Sequence, residues 1–185
     1  MPTVSNHVIT EITEAFCKNG HRTLGDSISL DQHLRQTAHY AELDGASTLL
    51  VVAALLHDFG YMLIRTEPAP EDPTVDQHCR RLTELFLLRH FTPGIADIVR
   101  NMLPAKRYLA TVDPVYYASL TASARRRLDL QGSFLTTEQV HAFEKTDHFK
   151  DAVRLRRYAD LAKFPNLDLP ALTHFTPYLI ATLIR

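Results

Sequence analysis

Val51–Gly60 reads VVAALLHDFG: six apolar residues, then an imidazole and a carboxylate side by side, then Phe59 and Gly60. Read outward from this stretch, Gly45 and Ser47 mark a helix start, with Ser47 as the N-cap, and the helix ends at His57-Asp58. A helix often finishes in polar residues before a glycine, so the dipeptide alone carries little information. It becomes informative if further His and Asp residues, each on its own helix, can reach the same point.

The flanking sequence is helical by the same criteria. Val8, Ile12, Ala15 and Phe16 share one face of a first helix that stops at Asn19-Gly20. In SLDQHLRQTAHYAE, Ser29 and Gln32 form a capping-box pattern, which places His33 in the first turn of a second helix. The Pro-rich stretch EPAPEDP separates the third helix from a fourth. There Thr74 and Gln77 repeat the capping-box pattern and put His78 in the opening turn. PGIADIVRNML reads as a helix broken at Pro104, and DPVYYASL and TASARRRL as short capped helices. TTEQVHAFEKTDHFKDAVRLRRYADLAK holds one or two more, and LPALTHFTPYLIATLI a last one kinked at Pro177. No run alternates long enough to make a strand, and no segment repeats. The expectation is an all-α fold in one domain over 1–185, since a chain of this length buries a sizeable core.

Composition narrows the function. A formal net charge of -1 with 22% charged residues lacks the basic excess of a nucleic-acid binder. No apolar stretch of membrane-spanning or signal length occurs, so a soluble protein without membrane or nucleic-acid partners is expected. Cys17 and Cys79 are far apart and form no CxxC pair, which fits a reduced, cytoplasmic setting.

His33, His57, Asp58, His78 and Asp160 come from four helical segments, the pattern by which a helical bundle builds a metal site from inward-facing side chains. An adjacent His and Asp let the carboxylate bridge two ions while its neighbour binds one. The competing reading is structural: a single histidine most often has a packing or surface role, and Asp160 can pair with Arg156 one turn back. Lys106 and Arg107 can equally be a solvated helix face, and ARRRL an exposed basic one.

The order H…HD…H…D resembles the HD-domain superfamily of metal-dependent phosphohydrolases and, within it, a small oxygenase branch. The closer resemblance is to 2-amino-1-hydroxyethylphosphonate dioxygenase and its trimethylammonio relative. It is carried by LVVAALLHDFG, AKRYLATVDPVYYASL, LDLQG, FEKTDHFKDAVRLRRYADLAK and LTHFTPYL, and it spans nearly the whole chain. That resemblance implies an HD-type bundle and a mixed-valent di-iron centre that activates O2 to cleave a carbon–phosphorus bond. It implies His33, His57, Asp58 and Asp160 as ligands of the first iron, and Asp58 as the bridge to a second iron that His78 also binds. It further implies catalytic roles for Asp58 and Lys106, and substrate contacts at Asp26, Lys106 and Arg157.

The sequence departs from the family pattern at several points. Met102 stands where the family has a histidine ligand of the second iron, and a thioether is a poor substitute toward iron. Asn101 beside it could offer an oxygen. Thr23 replaces a Tyr, Asp26 a Glu, Tyr61 the last His of the HDxGH motif, and Ala124 a Ser. One or two iron ions, a small anionic substrate and O2 are therefore expected, and a homodimer is left open. A metal-dependent phosphohydrolase and a catalytically degenerate HD protein remain the alternatives.

Overall fold

Seven consecutive residues, Leu50 to Leu56, are buried, so the third helix has no solvent face over its last two turns. A helix apolar all round belongs at the centre of a bundle. Each fully buried Leu there contributes roughly 1.5–3 kcal/mol relative to exposure. The computed structural model describes residues 4–23, 28–64 and 73–184.

In chain order the helices are α1 (Val4–Asn19), α2 (Leu30–Leu43), α3 (Thr48–Leu56), α4 (Gly60–Leu63), α5 (Pro73–His90), α6 (Pro93–Arg100), α7 (Met102–Val112), α8 (Pro114–Ser119), α9 (Ala122–Leu130), α10 (Thr137–Glu144), α11 (Phe149–Leu161) and α12 (Thr176–Thr182), the last preceded by a 3₁₀ turn, Leu172–Phe175. The fold is all-α. Among the described residues the one β-type pairing is an isolated antiparallel bridge between Phe91 and Leu183. It ties the end of α12 to the α5–α6 link through Thr92 N–H to the Thr182 carbonyl (2.9 Å) and Ile184 N–H to the His90 carbonyl (3.0 Å).

α3 is surrounded by α2, α6, α11 and α12. The main core fills the space between them, with Phe16, Leu34, Phe59, Leu87, Phe91, Leu155 and Phe175 among its residues. Two smaller clusters lie beyond it. Leu109, Tyr116, Leu120 and Leu128 pack between α7, α8 and α9, and Ala105, Phe143 and Ala152 join α7, α10 and α11.

Several boundaries follow the capping chemistry. Ser29 and Gln32 form the expected reciprocal box on α2, and Ser47, Asp113 and Thr121 each accept a backbone N–H at the start of α3, α8 and α9. Others differ. α5 begins at Pro73, so Thr74 lies inside the first turn rather than at the cap; proline suits the first helical position because its missing N–H is not needed there. The break near Pro104 falls at Asn101, which leaves Pro104 in the opening turn of α7, where no N–H bond is lost. Pro177 likewise starts α12 instead of kinking a longer helix. The late segment splits into α10 and α11 at His148, whose φ of 59° is left-handed.

Gly60 is required by close approach. A Cβ at this position would sit 1.9 Å from the Cys79 carbonyl oxygen, and the Gly60 N–H donates to Thr83 Oγ1 at 2.8 Å. The short helix α4, unforeseen in the sequence, thereby docks directly on α5.

Candidate metal centre

His33 projects from the first turn of α2, His57 ends α3 as its C-cap, and Asp58 follows in the turn to α4. His33 and His57 meet with their Nε2 atoms 3.2 Å apart. Asp58 Oδ2 lies 3.4 Å from His57 Nε2 and 3.9 Å from His33 Nε2. Among the described residues these three form the group of His, Cys, Asp or Glu side chains whose ligand atoms all fall within 4.8 Å of one another.

The tautomers decide what this arrangement can do. His33 Nδ1 faces the Ala162 carbonyl at 3.0 Å, and His57 Nδ1 faces the Ala54 carbonyl at 2.8 Å. A carbonyl oxygen only accepts, so each Nδ1 carries a proton, and in the neutral form of either ring Nε2 is left as the free lone pair. Burial holds the His57 imidazole down at about 4, with the nearby Asp58 charge only partly opposing it, so that ring is neutral near pH 7. Two ring nitrogens and a carboxylate oxygen thus face one another at ligand spacing. A metal ion among them would be held by all three donors at once. Two nitrogens each about 2.1 Å from one ion lie roughly 3.0–3.4 Å apart, which brackets the spacing found here. The residues present fit a metal ion.

The other residues singled out in the sequence are placed differently. Asp160, on α11, lies outside that group. Both its oxygens are engaged by Arg156, with Nε to Oδ2 at 2.9 Å, and Tyr116 donates its hydroxyl to Oδ2 at 2.7 Å. Burial works against the Asp160 charge, but Arg156 and Tyr116 outweigh it and hold the carboxyl below its usual range. His78 is exposed on α5 and also lies outside the group. Met102 is packed in the main core, while Asn101 links α6 to α7 and offers its backbone carbonyl to Ala105 N–H.

Lys106, on α7, is buried and donates to the Ala124 carbonyl at 3.2 Å. Burial, reinforced by the Arg156 and Arg127 charges, brings its ammonium down to about 8. It is therefore not the solvated helix face that its neighbourhood suggested. Arg157 is exposed and pairs with Asp113 Oδ2 at 2.7 Å, beside a surface pocket between α7, α8 and α11. Asp26 lies outside the described residues.

Two residues not singled out for the site stand next to its polar groups. Arg156 is the guanidinium within electrostatic reach of both His57 and Asp58, and Tyr116 completes the shell of Asp160. The i, i+4 spacing of Arg156 and Asp160 was the available signal for the first; nothing in the local pattern pointed to the second.

Comparison with known proteins gives this site its context. The chain is 31% identical over 154 residues to [1-hydroxy-2-(trimethylamino)ethyl]phosphonate dioxygenase (glycine-betaine-forming) of Leisingera caerulea, covering 83% of this chain and 79% of that protein. The chain belongs to this phosphonate dioxygenase family. It is also 29% identical over 169 residues to hydroxymethylphosphonate dioxygenase of Gimesia maris, covering 90% of this chain and 84% of the relative. No family model matches the chain. No helix among the described residues is long and apolar enough to cross a membrane.

Proposed function

We propose that the protein is a non-haem iron oxygenase that uses O2 to cleave a small hydroxylated organophosphonate. The observation that carries this reading is the meeting of two bare imidazole nitrogens with the Asp58 carboxylate, in a chain that belongs to a family of phosphonate dioxygenases. His33, His57 and Asp58 would hold the first ion, with Asp160 as its fourth protein ligand, and Asp58 and His78 would serve a second. Iron bound there supplies the activation of O2.

The chain's own groups have separable tasks. The Nδ1 carbonyl bonds fix both imidazoles in the ligating tautomer before any metal arrives. Asp160 reaches an ion only by sharing its carboxylate with Arg156 or by leaving it, so Arg156 tempers the charge that the site presents. Lys106 gives a buried point charge for a phosphonate oxygen, and Arg157 a forked donor if it leaves Asp113. Asp26 is assigned the opposite, cationic or hydroxylated end of the substrate.

A second reading is favoured by one observation: Met102, in the position of a family ligand, is packed in the apolar core. A single ion held by His33, His57 and Asp58 would supply what hydrolysis of a phosphate ester requires and would need no second iron. O2 uptake and phosphate release, measured with hydroxymethylphosphonate and its trimethylaminoethyl counterpart and, in parallel, with a small phosphate monoester, separate the two. Stoichiometric O2 uptake with phosphate release from a phosphonate supports the oxygenase; phosphate release from the monoester without O2 uptake, and none from the phosphonates, supports the hydrolase. Met102→His should raise iron content from about one toward two per chain, measured by metal analysis with Mössbauer spectroscopy, because it adds an imidazole beside a site with two protein ligands.

A further inference from the structure

The stretch that follows α11, Ala162 to Pro170, is not helical, so its peptide groups need partners outside the segment. α2 supplies them from side chains. Gln32 Nε2 donates to the Pro165 carbonyl at 2.8 Å, Arg35 Nη1 to the Pro170 carbonyl at 3.0 Å, and His33 Nδ1 to the Ala162 carbonyl at 3.0 Å. At the centre of this row, Gln36 Nε2 donates to the Phe164 carbonyl at 2.6 Å while Gln36 Oε1 accepts the Phe164 N–H at 3.1 Å. One side-chain amide therefore matches both halves of one residue's backbone.

Gln36 has no solvent exposure at all. A buried amide is costly unless both its donor and its acceptor are used, and here both are. It sits three residues after His33 on the same face of α2, while Phe164 sits two residues after Ala162. The two-bond clamp and the imidazole–carbonyl bond are thus neighbouring rungs between one helix and one strip of backbone. Fixing the first fixes the distance at which the Ala162 carbonyl meets the imidazole.

We propose that Gln36 is a positioning residue for the metal centre: its clamp on the Phe164 backbone holds the Ala162 carbonyl against His33 Nδ1 and so sets the tautomer and aim of His33 Nε2. This rests on the metal reading given above. It assigns a use to the irregular segment after α11 and couples the helix that carries Asp160 to the helix that carries His33.

The test uses chelator-stripped protein and cobalt(II) as the probe, comparing wild type with Gln36→Leu, Gln36→Glu and a control, Glu42→Gln. Glu42 also anchors α2, but its hydrogen bonds go to Tyr178 at 2.6 Å and His174 at 2.9 Å, beyond the 162–170 segment. Cobalt affinity, the visible ligand-field spectrum, the 15N shifts of the His33 ring and the melting temperature are measured for each. The expected result is cobalt binding about 10–100-fold weaker in Gln36→Leu, with a changed spectrum and mixed His33 tautomers. Gln36→Glu keeps the acceptor and loses the donor, so it should fall between, and it carries the test if Gln36→Leu does not fold. Glu42→Gln should lower the melting temperature and leave the cobalt spectrum alone.

Wild-type affinity, spectrum and His33 shifts in the Gln36 variants would overturn the inference. So would losses of affinity that simply track melting temperature in all three variants. A wild type that takes up no cobalt overturns the metal reading itself, an outcome distinct from unchanged Gln36 variants.

Discussion

The meeting point of α2 and α3 and the region where α7, α8 and α11 converge hold polar groups of opposite character. At the first, two imidazole nitrogens and a carboxylate oxygen face one another, each imidazole anchored through its other nitrogen to a backbone carbonyl. At the second, Asp160 is tied to Arg156 and Tyr116, Lys106 to the Ala124 carbonyl, and Arg157 to Asp113. The packing differs in the same sense: the first site is set in the main core, the second among its small satellite clusters. One region has a donor set that could hold an ion, and the other has balanced its own charges. Any ligand that engages the second region must compete with a bond already made.

The largest effect that tests this contrast is loss of His57. His57→Ala removes one of the two bare nitrogens, and metal affinity should drop by at least about 100-fold, beyond what removing an outer partner of a ligand typically causes. Metal content after dialysis is the measurement. Full occupancy in that variant would sink the assignment of the site.

Asp160→Asn probes the other side. It leaves the half-buried Arg156 charge without its partner, which should destabilise the fold by about 2–4 kcal/mol, somewhat below the usual figure for a fully buried pair because both side chains keep 22% exposure. Adding Arg156→Met should recover most of that stability in denaturant unfolding. If Asp160 is also a metal ligand, the double variant recovers stability without recovering metal affinity. Recovery of both would make Asp160 a structural residue alone.

Gly60→Ala strikes the joint between the regions, where the turn that carries Asp58 rests on α5. A methyl group placed 1.9 Å from the Cys79 carbonyl must push α4 and α5 apart, at a cost of about 1–3 kcal/mol. Thermal unfolding should register it, and metal affinity should fall with it as Asp58 moves.

The contrast also explains what the sequence disclosed. Helices announced by a side-chain cap, such as those opened by Ser29, Ser47, Asp113 and Thr121, were legible because the cap bond is local. The Thr74 box was misleading because Pro73, one residue earlier, already suits the first helical position. The split at His148 was hidden because its left-handed backbone occurs in a residue other than glycine. The metal group lay between these cases. Its residue types and their separate helices were readable, but convergence depends on how α2 docks on α3, and no periodicity encodes that. Arg156 meets Asp160 within its own helix, as the i, i+4 spacing allowed, but that its neighbour Arg157 meets Asp113 depends on the phase of α11 in the bundle, which no spacing encodes.

The smallest expected effect is a pH dependence at Lys106, and its sign is distinctive. Burial lowers the ammonium to about 8, so anion affinity that depends on its charge is complete below that pH and weakens above it, by at most about ten-fold per unit. Fold stability runs the other way. Between about 8 and the ordinary lysine value the unfolded chain holds this proton and the folded chain does not, so the contribution of Lys106 to stability rises with pH across that window. A sulfonate analogue of the substrate keeps one fixed charge through this range, so the change in its binding reports on the protein rather than on the ligand. Calorimetric titration from pH 7 to 9.5 should show weakening in wild type and a flat, weaker response in Lys106→Met. Equal pH dependence in the two proteins would remove Lys106 from the anion site and leave its buried ammonium as a structural link between α7 and α9.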